Sequence, residues 1–311
     1  MLFALPSCVK EEIIESKDDR NMIILNAQLY ATDTEHSVYV GIGSANTVRR
    51  LTLATVTCSV NGGEPVEAEL SNVLHSTKIQ SEYIFKASFS PGDVVRITAA
   101  YDDMKASAEV TVPESAGEIV QIDSIMRGGN VFFTVKVKDN APGRNYYRLR
   151  LKHNYEARLY SCGWTYAGSQ SGSGNVVLSN NEDPVLNGGK LDDTFFVESS
   201  NNKYCLFHDS FFQQGTCSIN VSAKLNEMYS LSLKGDFSYA RVKNQAVMSL
   251  VSITREEYDY LSYLNVLEDV DYDYDNLLES LVIQNNVEGG LGFVSVSSEH
   301  TFPFRLEDTE F

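Results

Sequence analysis

The chain has 311 residues, 43% hydrophobic and 22% charged, with a formal net charge of -17 and a pI near 4.7. That length holds two domains of ordinary size, each able to bury its own core, and the composition is globular rather than disordered. So acidic a chain repels phosphate backbones, which argues against nucleic acid as a partner, and no stretch approaches the ~18 apolar residues of a spanning helix.

At the start of the chain, Leu5-Pro6-Ser7-Cys8 has the pattern of a bacterial lipobox: an apolar run, a small residue, then cysteine. Cleavage before Cys8 leaves it as an acylated N-terminus. One acyl chain binds a membrane marginally, at ~0.8 kcal/mol per buried methylene, and three anchor it for good. Val9-Lys10-Glu11-Glu12 resembles the export signal that carries lipoproteins of Bacteroidota to the outer face of the outer membrane. The plain alternative is an ordinary cysteine near a polar N-terminus, since no basic segment precedes Leu5. The expectation is lipidation at Cys8, with residues 1–21 as lipoprotein signal and tether and the lipid as the membrane attachment.

Structure is expected from residue 22. Residues 22–30, 37–43, 52–60, 83–89, 93–100 and 105–112 are short, rich in β-branched and aromatic side chains, and separated by turn chemistry. Asn61-Gly62-Gly63 and Ser90-Pro91-Gly92-Asp93 are the clearest turns. This meander predicts an immunoglobulin-like or transthyretin-like sandwich over residues 22–115.

A larger antiparallel β domain is expected over 116–311, making the fold class mainly β. Residues 118–126 and 130–138 flank Arg127-Gly128-Gly129, a hairpin signal. Asp139 to Gly143 is the next turn, followed by a strand over 145–151. Residues 168–174, all glycine, serine and glutamine, are expected as a flexible loop. Thr254 and Glu257 form a capping box for a helix near 254–267, along which Tyr258, Leu261 and Leu264 recur at helical spacing. A turn over 285–292 feeds a last strand at 293–297.

Together these segments resemble the domain-of-unknown-function family 4249, found in outer-membrane lipoproteins of Bacteroidota. Four stretches carry the resemblance: Phe89-Ser90-Pro91-Gly92-Asp93; Asp139 through Leu149; Asn181 through Leu186, with Phe207-His208-Asp209 and Gly215 downstream; and Asn286 through Phe293. The resemblance implies a cell-surface role near TonB-dependent transporters. It implies no established catalytic residues.

With Cys8 assigned to lipid, Cys58, Cys162, Cys205 and Cys217 remain, enough for two disulfides in three connectivities. Cys58 suits a buried thiol in a strand, and Cys205–Cys217 is the slightly favoured pair. His208-Asp209-Ser210 has triad residue types, but neighbours in a strand point to opposite faces and cannot act in series. Ser200-Asn201-Asn202-Lys203 has Ser-x-x-Lys spacing inside a turn-forming stretch. Asp269, Asp271, Asp273 and Asp275 alternate like the oxygen ligands of a calcium loop. No glycine supplies the sharp turn there, and the twelfth position from Asp271 is Val282, so a solvated loop is the plainer reading. Gly289-Gly290-Leu291-Gly292 lacks the Lys-Ser/Thr of a phosphate cradle and suits close backbone approach instead. Tyr146, Tyr147, Tyr155, Tyr160, Trp164 and Tyr166 cluster, as sugar-binding faces and riveted sheets both do.

The function expected is a non-enzymatic outer-membrane lipoprotein facing the cell exterior, binding a ligand or a TonB-dependent transporter, with no cofactor beyond the lipid and the weak calcium candidate. Its rivals are a cell-surface hydrolase with dispersed catalytic carboxylates and an adhesin or assembly subunit.

Overall fold

The computed structural model describes residues 21–44, 47–72, 79–161, 164–179, 183–187, 202–224, 228, 237–267 and 284–310. The N-terminal region forms β1 (Met22–Tyr30), β2 (Glu35–Ser44), β3 (Thr47–Arg50), β4 (Thr55–Val60), β5 (Val66–Glu67), β6 (Glu69–Leu70), β7 (Ser81–Lys86), β8 (Val94–Tyr101) and β9 (Met104–Thr111). Then come β10 (Gly117–Arg127), β11 (Asn130–Asp139), β12 (Tyr146–Ser161), β13 (Thr165–Val176), β14 (Leu206–His208), β15 (Thr216–Lys224) and β16 (Phe237–Ile253). Helix α1 (Arg255–Leu267) precedes β17 (Gly290–Leu291), β18 (Val294–Arg305) and β19 (Thr309–Glu310). Cys8 and Asp269, Asp271, Asp273 and Asp275 lie outside the described residues.

One long sheet organises the molecule, in the order β13-β12-β16-β18-β1-β2-β7-β6. Its central joint is β1, antiparallel to β2 on one side and parallel to β18 on the other, with Ala27 opposite Val294 and Leu29 opposite Val296. Strand alternation sends odd residues of β1 inward, and Ile23, Leu25, Ala27 and Leu29 are all buried. They meet Val56, Ile97 and Ala106 of the sheet β5-β4-β8-β9, which closes a mainly antiparallel sandwich. Further along the same face, Tyr147, Leu149, Met248 and Leu250 meet Phe133, Val135 and Ile219 of the sheet β10-β11-β15. Both cores therefore lie on one side of the long sheet, and the far end of the chain helps to build the first: Val287, Val294 and Val296 belong to its core.

The glycine-rich turn serves that joint. Gly290 and Leu291 pair with Ile23 and Ile24. Asn286 clamps Val294 twice, accepting from its N–H at 2.9 Å and donating to its carbonyl at 2.7 Å. Gly289 and Gly292 sit at φ +71° and +127°, where a side chain is strained. Gly290 is needed for space instead, because a Cβ there would lie 2.5 Å from the Ile23 carbonyl oxygen.

Three expectations change. The flexible loop at 168–174 is strand β13, zipped to β12 from Leu151–Val176 to Ser161–Thr165. Sixteen residues of β12 offer a backbone edge that must find partners, and ladder pairing overrides a composition rich in glycine and serine. The strand expected at 145–151 accordingly runs to Ser161, and that at 293–297 runs to Arg305. The Cys205–Cys217 bridge is absent, because Cys217 is a free thiol. Cys205 turns into the second core toward the Leu178 carbonyl, while Cys217, on β15, turns toward the carbonyl of Ser218. Cys58 is likewise a free, buried thiol, pushed up to about 12 by burial.

Candidate functional site

The side of the long sheet that faces away from both cores is polar. Along β12 the inward residues are Tyr147, Leu149, Leu151, His153, Tyr155, Ala157 and Leu159, all buried. Every second residue between them points the other way: Tyr146, Arg148, Arg150, Lys152, Asn154, Glu156, Arg158 and Tyr160. A two-residue period of this kind is the signature of a half-buried strand.

Helix α1 covers one end of this polar side, resting Leu261 and Tyr258 against Val251, Ile253, Leu206 and Tyr146. The capping box forms only in half. Thr254 Oγ1 accepts from the Glu257 N–H at 3.1 Å, but the Glu257 carboxylate turns down onto the sheet, where Ser297 donates to it at 2.8 Å and Gln28 at 3.4 Å. Glu257 is buried, and the loss of water raises its pKa above the usual glutamate range. Beside it Arg150 lies 4.2 Å over the Tyr30 ring and 3.7 Å from Glu299, and Arg148 lies 5.1 Å over Tyr204. Arg148 Nε and Nη1 are buried with no hydrogen-bond partner among the described residues. Gln28, Tyr30, Arg148, Arg150 and Tyr204 line a pocket of about 520 Å³.

No described element covers the other end. The register of β13, β12 and β16 places three tyrosines abreast, Tyr166, Tyr160 and Tyr239. Their ring centroids are 6.2 and 6.0 Å apart, and Trp164 leans on Tyr239 at 4.6 Å. The next row is Ser169, Arg158 and Arg241, and the one after it Ser171, Glu156 and Lys243. The rows border two adjoining hollows of about 870 and 570 Å³. Trp164, the sole tryptophan, is 67% exposed and Tyr166 59% exposed. Trp164 is also held at φ +66°, a left-handed backbone that bulky residues avoid.

The residues noted in the sequence divide between scaffold and surface. Tyr147 is interior: its hydroxyl donates to Asp139 at 2.7 Å, which also accepts from the Gln214 N–H. Burial and the neighbouring carboxylate push the Tyr147 pKa upward. Asn145 donates to Asp139 and to Asp209, so the Asp139–Leu149 stretch and Phe207-His208-Asp209 form one buried network. That use of Asp209 disposes of the triad. Its carboxylate accepts from Asn145, while His208 Nδ1 accepts from the Ser210 N–H in the 3₁₀ turn that follows β14. Asp183 is a turn anchor, accepting from Val185 and Asn220. Asn202 ties Leu186 to Leu206, while Ser200 of the Ser-x-x-Lys stretch lies outside the described residues. Among the described residues no group of three or more His, Cys, Asp or Glu side chains could hold a metal ion, and no helix is long and apolar enough to cross a membrane. Arg158, Tyr239, Arg241 and Lys243 escaped the sequence reading. The period-2 alternation of polar residues beyond Leu151 was the signal that could have found the first of them.

The family's model matches residues 10–302, nearly the whole chain. The chain belongs to the domain-of-unknown-function family DUF4249. No curated protein matches this DUF4249 chain. Among solved structures it is similar to a DUF4785 family protein from Legionella pneumophila, at 7% identity and a TM-score of 0.22, over 71% of this chain and 52% of that one. The DUF4249 chain thus spans about half the length of that structure. A second, from Bacteroides uniformis and proposed to bind carbohydrate, shares 11% identity at a TM-score of 0.16, over 74% of this chain and 88% of that one. Overlaps this weak carry no argument about function.

Proposed function

We propose that this DUF4249 chain is a lipoprotein of the outer membrane, anchored through Cys8 and facing the cell exterior. It works there as a non-enzymatic module that binds a ligand or partner beside a TonB-dependent transporter. The lipobox pattern and the acidic stretch after Cys8 support the placement. One observation carries the binding role: the exposed Trp164, held at positive φ against Tyr239, at the open end of a sheet whose other side is filled by core. An exposed aromatic that costs backbone strain contributes nothing to packing that a buried one would not supply better.

Cys8→Ala should move the protein from the membrane fraction to the soluble one, and unchanged fractionation would remove the anchor. Replacing Lys10, Glu11 and Glu12 with alanine should leave the protein membrane-bound but shielded from protease added to whole cells. An unaltered protein that is already shielded would sink the surface placement. Capture of a TonB-dependent transporter from solubilised membranes by the intact protein checks the partner.

A further inference from the structure

The open end of the sheet carries a charge pattern at odds with the rest of the molecule. The whole chain stands at -17, yet Arg158, Arg241, Lys243 and Arg305 line the two hollows against Glu156 and Asp308. Asp308 is already engaged, with both carboxylate oxygens 3.1 Å from Arg305 Nη2. Arg158 and Lys243 ion-pair with no described residue. Arg158 and Arg241 stand directly opposite each other on paired strands, an arrangement of like charges that costs stability. Charges in the rest of the molecule are screened over about 8 Å at physiological salt, so a bound group responds to these near cations.

Resting on the reading of this open face as the binding surface, we propose that it takes an anionic polysaccharide. Sugar rings stack on Trp164 and Tyr166, and carboxylate or sulfate groups meet Arg158, Arg241 and Lys243. Lys243 stands two strand residues along from Arg241, at a rise of roughly 7 Å, so cations recur from one row to the next even though Glu156 shares the second. That spacing suits charges carried on separate sugar rings, whereas duplex nucleic acid bears one charge per ~1.7 Å of axis. Ser169, Ser171 and Asn154 fill the floor with hydroxyl and amide groups able to bond ring hydroxyls. Flat aromatic faces exposed beside such groups bind apolar ring faces and leave the polar edges to the floor.

Affinity electrophoresis of the purified full chain tests this, in gels holding polygalacturonate, dextran sulfate, poly-glutamate or neutral dextran. Polygalacturonate or dextran sulfate should retard the chain, the one that does so naming carboxylate or sulfate as the anion. Retardation should weaken as salt is raised, and neutral dextran should leave migration unchanged. Trp164→Ala and the double change Arg158→Gln/Arg241→Gln should each weaken retardation tenfold or more without lowering the melting temperature, and removing the opposed charges should if anything raise it. Several results would overturn the proposal: no retardation by either anionic polysaccharide, equal retardation by neutral dextran, equal retardation by poly-glutamate, or full retardation of both variants. Protease accessibility on whole cells is read separately. A displayed protein that no polysaccharide retards loses the glycan alone, and a retarded protein that is shielded in cells loses the surface placement alone.

Discussion

Gly290 shows how a single missing side chain can hold two parts of a fold together. Its Cα faces Ile23 of β1 and Ala106 of β9, and a Cβ would lie 2.5 Å from the Ile23 carbonyl oxygen and 2.7 Å from the Ala106 Cβ. Neither backbone nor packed methyl can give way cheaply, so Gly290→Val should cost about 1–3 kcal/mol of overpacking and lower the melting temperature by several degrees. If the turn instead served only a partner, the same change would spare the melting temperature and abolish capture; a melting scan beside a pull-down separates the two. Tyr147 makes the complementary case, where a hydroxyl rather than its absence matters. Tyr147→Phe removes the 2.7 Å bond to Asp139 and leaves a buried carboxylate short of a donor, which should cost about 1–3 kcal/mol in denaturant unfolding. Both roles were partly legible. The glycine run announced close backbone approach, but Asp139 and Tyr147 sit eight residues apart across a turn, and only the turn's closure makes them partners.

At the scale of elements, α1 was readable from its cap and its 3.6-residue spacing, yet the destination of Glu257 was not. A capping-box glutamate in isolation folds back to its own N-cap; here the sheet beneath offers Ser297 and Gln28, and the carboxylate goes there. Burial raises its folded pKa above the ordinary 4.5, with Arg148 and the hydroxyls of Ser297 and Ser295 opposing. The folded state therefore holds this proton more tightly than the unfolded chain. The stabilisation is complete below about 4.5 and is lost as pH rises through the folded pKa. Melting temperatures of the native protein and Glu257→Gln, compared from pH 4 to pH 8, should diverge upward. The variant, which cannot ionise, should lose less stability across that window, and parallel curves would refute the assignment. β13 teaches the opposite lesson. Its glycines and serines carry no strand propensity, so composition pointed to a loop. The strand exists because β12 presents an edge, and because Gly172 leaves room for the Tyr155 ring that lies over it.

For the molecule as a whole, the parallel pairing of β1 with β18 means that residues 22–115 are not independent of the chain's end. A fragment of those residues loses Val287, Val294 and Val296 from its core and bares one edge of β1. It should be unfolded or aggregated when expressed alone, whereas adding residues 284–311 in trans should restore dispersed amide signals in an NMR spectrum. A well-folded fragment would show that the joint is ornamental to the sandwich. What the sequence by itself determined is local: the β class, from alternation and turn residues; the helix, from its cap; the acidic character and the lipobox pattern, from composition and order. These depend on neighbours a few residues apart, and such interactions are written in any short window. Only the tertiary structure decided which strands share a sheet, that Cys205 and Cys217 face different neighbours, and that Trp164, Tyr239, Arg158 and Arg241 stand together at one open end. Strand pairing joins residues tens to hundreds of positions apart, and backbone hydrogen bonds carry no label of their partner. The choice among registers is made by the packing of the whole molecule.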